Sequence, residues 1–132
     1  MTRRLRRRGA PEDVATAVVT DLGARGYLDD AAFARQWVET RAARGYGADR
    51  LRAELRARGV ESSLIDAALA PLTPEAALER ARAVARRRLP VLRRGRADRL
   101  AARLGDYLSR RGYAPAVVAR VVRECAGAGV DG

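Results

Sequence analysis

Apolar residues recur at helical spacing along the whole chain. Val14, Val18, Val19 and Leu22 form one stripe, and Ala34, Trp37 and Val38 form another with Arg41. Leu51 and Leu55 follow, then Leu64, Ile65, Ala68 and Leu69. Leu100, Leu104, Tyr107 and Leu108 make the next set, and Val117, Val118, Val121 and Val122 the last. Steps of three and four residues gather each set on one side of a helix. The valine pairs obey the same spacing, and no stretch alternates as a half-buried strand does. The pattern reads as all-α.

The breaks between stripes repeat as well. Leu5-Arg-Arg-Arg-Gly9-Ala10, Leu55-Arg-Ala-Arg-Gly59-Val60 and Leu108-Ser-Arg-Arg-Gly112-Tyr113 are three versions of one phrase, with leucines 50 and 53 residues apart. A helix ending in a Schellman turn takes Gly just past its end, where positive φ is free of a Cβ penalty. It also brings the residue after that Gly against the one four before it. The pairs are then Leu5–Ala10, Leu55–Val60 and Leu108–Tyr113, and each phrase stops one helix and starts another. Self-similarity near 50 residues marks tandem supersecondary units.

Taken in order, Thr2 to Gly9 reads as the end of a helix. Pro11, Glu12 and Asp13 open the next, which Gly23 and Gly26 are expected to end. Asp29 reads as an N-cap with Leu28 and Phe33 as its hydrophobic staple and Asp30 in the first turn. That helix stops at Gly45 or Gly47, and a second runs from about residue 48 to 58. Ser62 is expected to cap a third, and Pro71 and Pro74 close the unit. Thr73 starts a helix to about Leu89, where Pro90 and Gly95 interrupt it. Another spans about 96–111, and Ala114-Pro115 opens the last. The expected architecture is an elongated array of tandem three-helix repeats, the first repeat incomplete. Its parts are a remnant of the first repeat at 1–25, a second at 26–72, a third at 73–126, and a frayed tail at 127–132.

Charge adds a direction to this plan. The 132 residues carry +11, and every one of the 27 basic residues is arginine, as codon bias in a GC-rich genome explains. Between residues 80 and 111, twelve arginines meet only Asp98 and Asp106, so nearly all the excess lies in the third repeat. Arg86, Arg87 and Arg88, then Arg93, Arg94 and Arg96, bracket the turn between its first two helices. With Arg99, Arg103, Arg110 and Arg111 they form a candidate surface for a polyanion, with a solvated helix face as the plainer alternative. Arg3, Arg4, Arg6, Arg7 and Arg8 make a smaller cluster. Phosphate contacts of this kind hold register without reading sequence. A helix-turn-helix reading fits the loop lengths, but its second helices, 64–69 and 117–125, offer few base-reading side chains.

Chemistry is sparse. The absence of histidine removes the commonest base and the commonest metal ligand. Asp29-Asp30 is explained by helix capping and lacks evident partners for a metal. Cys125 has no histidine to activate it, and Gly45-Tyr46-Gly47 lacks the Lys-Ser/Thr of a phosphate loop. A single cysteine suits a reducing cytoplasm. No run of about 18 apolar residues spans a membrane, and no apolar core follows the N-terminal arginines. A binding protein is expected, with no enzyme activity, cofactor or metal.

Gly26-Tyr27-Leu28-Asp29-Asp30-x-x-Phe33-Ala34, followed by Arg41-x-x-x-Gly45-x-Gly47-x-x-Arg50-Leu51-x-x-Glu54-Leu55-x-x-Arg58-Gly59-Val60, resembles the RecX family of recombination regulators. Tyr107-Leu108-x-Arg110-Arg111-Gly112-Tyr113 resembles that family's last repeat. The resemblance implies tandem three-helix repeats and a cytoplasmic protein, expected to be monomeric. It also implies binding in the groove of the RecA–DNA filament, restraining strand exchange and ATP hydrolysis in DNA repair and SOS regulation. Arg41, Arg50 and Arg58 fall at motif positions and are candidate partner contacts. The DNA, single- or double-stranded, is bound without sequence preference. The alternatives are a sequence-nonspecific DNA-binding module with no recombinase partner, and an adaptor that holds another helical protein by its apolar faces. Family members usually carry a complete first repeat, from which this chain departs.

Overall fold

The computed structural model describes residues 13–131, with side chains described for 26–127. Six α-helices make up this part: α1 (Asp13–Ala43), α2 (Ala48–Ala57), α3 (Ser62–Leu69), α4 (Pro74–Leu92), α5 (Leu100–Arg110) and α6 (Pro115–Asp131). A 3-10 turn, Ala97–Arg99, leads into α5. The described residues contain no strand. The Leu5–Ala10 pair, the N-terminal arginine cluster and the side chains of the first stripe lie outside the described residues.

Helices α1, α2 and α3 share one core: Ala34, Val38 and Ala42 meet Leu51, Leu55, Leu64, Ile65, Ala68 and Leu69. A second core joins α4, α5 and α6, through Ala81, Val84, Ala85, Leu89 and Leu92 against Leu104, Leu108, Val118 and Val121. Both use the predicted inward stripes. Both also close their middle corner in the same way. The Val60 amide donates to the Leu55 carbonyl (3.1 Å) and Gly59 to Arg56 (3.0 Å), with φ +84° at Gly59. Tyr113 donates to Leu108 (3.3 Å) and Gly112 to Ser109 (3.0 Å), with φ +99° at Gly112. These are the two expected Schellman turns, and Leu55–Val60 and Leu108–Tyr113 are buried in pairs. A third such turn closes α1, with Tyr46 donating to Arg41 (3.3 Å) and Gly45 to Ala42 (2.9 Å).

Several boundaries differ from expectation. Helix α1 runs unbroken through Gly23 and Gly26, so Asp29 is an interior residue and no N-cap. A helical glycine costs only about 1 kcal/mol against alanine, a small penalty for a 31-residue helix that continues on both sides. The staple is absent too, with Leu28 66% exposed and Phe33 36%. Glu61, rather than Ser62, occupies the N-cap of α3 without a side-chain bond. Pro90 does not end α4, which continues to Leu92. Helix α6 keeps helical backbone to Asp131, beyond the Gly127 where fraying is expected. Thr73 does cap α4, its hydroxyl accepting from the Ala76 amide at 3.1 Å.

The two bundles are joined through their corners. The Gly47 amide, at the start of α2, donates to the Arg111 carbonyl (2.7 Å), and Asp49 donates to the Gly112 carbonyl (3.0 Å). Across the same joint the buried Tyr113 hydroxyl donates to the Gly45 carbonyl at 2.8 Å. Arg50 Nη1 reaches the Arg110 carbonyl at 3.1 Å and Arg111 Nη1 the Arg44 carbonyl at 2.9 Å. The approach needs two glycines. A Cβ at Gly47 would lie 2.5 Å from the Gly112 carbonyl, and one at Gly112 would lie 2.3 Å from Arg50 Cβ.

Gly47→Ala should therefore force the bundles apart and cost about 1–3 kcal/mol. Gly105→Ala, whose new methyl would find its nearest neighbours at 3.8 Å inside a helix, should instead stabilise by about 0.5–1 kcal/mol. Urea unfolding of both variants tests this, and equal midpoints would contradict the close-approach account.

A pH effect follows from α6. Hydrogen bonds from Arg82 (2.9 and 2.8 Å), aided by Arg120, hold the Glu124 carboxyl down at about 2. A depressed carboxylate stabilises fully above its unfolded pKa of about 4.3, and that stability disappears as pH falls toward the folded value. Stability should decline between about pH 5 and 2, with a shallower decline in Glu124→Gln. Identical acid profiles for the two proteins would exclude this link.

Candidate functional site

Helices α1 and α2 set up an arginine–aromatic cluster around one carboxylate. Glu54 accepts from Trp37 Nε1 (2.8 Å), Arg41 Nε (3.1 Å) and Nη2, and Arg50 Nε (3.2 Å). Burial pushes its carboxyl up, but the bonds from Arg41, Trp37 and Arg50 and the charge of Arg41 outweigh burial and leave it low. The Glu54 bond in turn raises Arg41 against its own desolvation. The Tyr46 ring lies beneath three guanidiniums, with Arg41 at 4.2 Å, Arg50 at 4.6 Å and Arg111 at 4.5 Å from its centroid. Arg58 covers Trp37 at 4.2 Å and Phe33 at 5.6 Å. Of the three motif arginines, Arg41 and Arg50 are thus committed within the fold, whereas Arg58 stacks on rings and has no carboxylate partner among the described residues.

The arginines of the charged segment sit differently. Arg86, Arg87, Arg93, Arg94, Arg96, Arg99, Arg103 and Arg110 are exposed on α4, the following turn and α5, while Arg88 and Arg111 are half-buried. Of these ten only Arg96 has a carboxylate among the described residues, binding both oxygens of Asp98 at 3.2 and 3.0 Å. Arg103 folds over the Gly95 turn, close enough that a Cβ there would meet its Nη1 at 2.1 Å. Arg88 lies over Tyr107 at 4.8 Å, and its Nε is buried without an acceptor. Arg88, Arg103 and Arg110 line a hollow of about 260 Å³ beside Asp106.

A second hollow, of about 170 Å³, opens at the joint between the bundles. Arg87, Arg88 and Arg111 face it from the second bundle and Arg44 from the first. Arg44 carried no sequence signal, since it lies in a charge-balanced region 67 residues before Arg111.

Other candidate chemistry is not assembled. Asp29 and Asp30 lie inside α1, and the described residues hold no cluster of three or more His, Cys, Asp or Glu fit for a metal. Burial and then Glu124 push the Cys125 thiol up, against the opposing charges of Arg93 and Arg86, which disfavours thiolate. Among the described residues no helix is long and apolar enough to cross a membrane.

Replacing Glu54 by Ala would leave the Trp37 indole N–H and the Arg41 guanidinium without their acceptor. A loss of about 2 kcal/mol is expected, with a red shift in the emission of Trp37, the sole tryptophan. An unchanged emission maximum would show that this carboxylate does not anchor the ring.

Comparison with known proteins bears on this arrangement. A family profile described as RecX, second three-helix domain, matches residues 29–69, the segment that supplies Arg41, Arg50, Glu54 and Arg58. The chain is 42% identical over 125 residues to Regulatory protein RecX of Thermobifida fusca, covering 94% of this chain and 68% of that one. Identity to Regulatory protein RecX of Streptomyces coelicolor is 40% over 121 residues, covering 91% and 64%. The corresponding Mycobacterium avium protein is 40% identical over 121 residues, covering 90% and 70%. The chain therefore spans about two-thirds of the length of these relatives. No solved structure matches it. At this identity and coverage the chain belongs to the RecX family of regulatory proteins.

Proposed function

We propose that the chain regulates a RecA recombinase by lying along the recombinase–DNA filament. The arginine surface of α4 and α5 faces DNA phosphates or acidic walls of the groove. Bound there, the paired bundles slow strand exchange and the ATP hydrolysis coupled to it. The protein acts by binding, as a monomer, and reads no base sequence.

One observation carries this reading. The arginines of α1, α2 and α6 that face acids are consumed in ion pairs, such as Arg41 with Glu54, Arg52 with Asp66 and Arg120 with Glu124. Those of α4, α5 and the turn between them have almost no such partners among the described residues, only Arg82 and Arg96 being paired. Uncompensated guanidiniums fixed on rigid helices favour phosphate oxygens, which they bind in bidentate fashion. Membership in the RecX family of regulatory proteins supports a recombinase as the partner.

The test is recombinase ATP hydrolysis on saturated single-stranded DNA as the chain is titrated in. Inhibition well below the recombinase concentration is expected. Arg86→Glu, Arg87→Glu and Arg94→Glu together should abolish it; Arg88 is left out because its stack on Tyr107 makes it part of the fold. Inhibition only at charge-matching excess, relieved by more DNA and lost by a few hundred millimolar salt, would instead mean nonspecific phosphate binding. On single strands that binding falls by about 0.7 log units per phosphate for each tenfold rise in salt.

A further inference from the structure

We propose that the hollow at the joint between the bundles is a phosphate site whose occupation fixes one bundle against the other. The ligand is a phosphate ester, in a nucleic-acid backbone or at the end of a nucleotide's phosphate chain. This deepens the reading above and rests on it for the nucleic-acid source only.

The site is built from both bundles. Arg44 stands at the end of α1; Arg87 and Arg88 lie on α4 and Arg111 follows α5. None of the four has a carboxylate partner among the described residues, and no acidic side chain lines the hollow. Four like charges facing one hollow repel each other across the joint. An oxyanion reverses that repulsion and draws Arg44 toward α4.

Two of the four are held in place by the fold. Arg111 is held by its bond to the Arg44 carbonyl (2.9 Å), by the Tyr107 hydroxyl (3.1 Å) and by the Tyr46 ring. Arg88 lies over the Tyr107 ring, and its buried Nε has no acceptor among the described residues. The terminal nitrogens of Arg44 and Arg87, both exposed and without a carboxylate among the described residues, are the donors an oxyanion would gain. Tyr107 accepts from Arg111 and keeps its hydroxyl proton free to donate. Val84 and Val91 complete the lining. At about 30 Å³ per water, the 170 Å³ holds roughly five waters, room enough for a phosphate and its four oxygens.

Occupation has a mechanical result, because the same corner carries the amide bonds from Gly47 to Arg111 and from Asp49 to Gly112. Drawing Arg44 and Arg111 onto one oxyanion tightens those bonds and stiffens the angle between the bundles. A stiffer pair follows a filament groove better than a hinged one.

The experiment uses the whole chain, labelled with 15N, titrated separately with pyrophosphate and with a twelve-residue deoxythymidine oligomer. With either ligand, the Arg44 and Arg87 Nε–H resonances should shift saturably and amide exchange at Gly47 and Asp49 should slow. Arg44→Gln should weaken oligomer binding about tenfold, as much as Arg87→Gln, the loss expected for one charge-assisted bond. Arg94→Gln, outside the hollow, should weaken it less than threefold. The double variant Arg44→Gln with Arg87→Gln should lose less than the product of its parts, since both lost bonds share one ligand. Arg44 is exposed and makes no side-chain bond among the described residues, so its variant keeps the fold.

If pyrophosphate alone binds, the site stands and its nucleic-acid source falls, together with the DNA contact proposed above. If Arg44→Gln is silent while Arg87→Gln and Arg94→Gln cost the same, charge alone binds DNA; this site is refuted and the filament reading survives. Shifted resonances with unchanged exchange at Gly47 and Asp49 would overturn the coupling between the bundles.

Discussion

The first amides of α2 point at the last carbonyls of α5, and the rest of the molecule is arranged around that meeting. A helix N-terminus leaves donors without partners and a C-terminus leaves acceptors. Here the Gly47 and Asp49 amides take the Arg111 and Gly112 carbonyls, so two helix ends in separate bundles satisfy each other. The partial charges of the two dipoles also meet with opposite sign. No side chain caps α2, because another helix does the work. The geometry admits no Cβ at either glycine, and it brings Tyr46, Arg50 and Arg111 within reach of one another.

Once that joint is formed, the arginines divide into two populations with different physics. Around Glu54 and Tyr46 they are structural: the carboxylate gathers Arg41 and Arg50, and the rings take the flat faces of the guanidiniums. Each stack at a partly exposed site is worth about 0.5–1 kcal/mol, and the one of Arg111 on Tyr46 crosses from one bundle to the other. On α4 and α5 the same residue type has few acids to meet among the described residues, and most of its charge stays uncompensated. Lysine would serve poorly in the first population, because it lacks the planar face and the fork of donors.

The turn after α1 shows the two roles overlapping. In the other Schellman turns an apolar pair closes the corner, Leu55 with Val60 and Leu108 with Tyr113. In the turn at Gly45 the equivalent positions are Arg41 and Tyr46, and a guanidinium stacked on a ring replaces the apolar contact. Because Arg41 stands where the other two turns have leucine, the sequence marks only a helix stop there. The helix end is the same; the glue is different.

Helical periodicity, the glycine corners and the position of the excess charge were all settled by the sequence, because each depends on residues close together in the chain. The inward stripes are the buried ones, Gly59 and Gly112 take positive φ, and Thr73 caps α4. The residues that spell the RecX resemblance are local in the same sense. Local rules failed where packing or continuation overrode a weak preference, at Gly23, Gly26 and Asp29 in α1 and at Pro90 in α4. What the tertiary structure alone decided is the pairing of corners some 60 residues apart. Arg44 gives no sign of its place beside Arg87, Arg88 and Arg111, and Gly47 none of its contact with Gly112. Those contacts follow from how two bundles dock, and docking depends on shape and on backbone groups that every sequence shares.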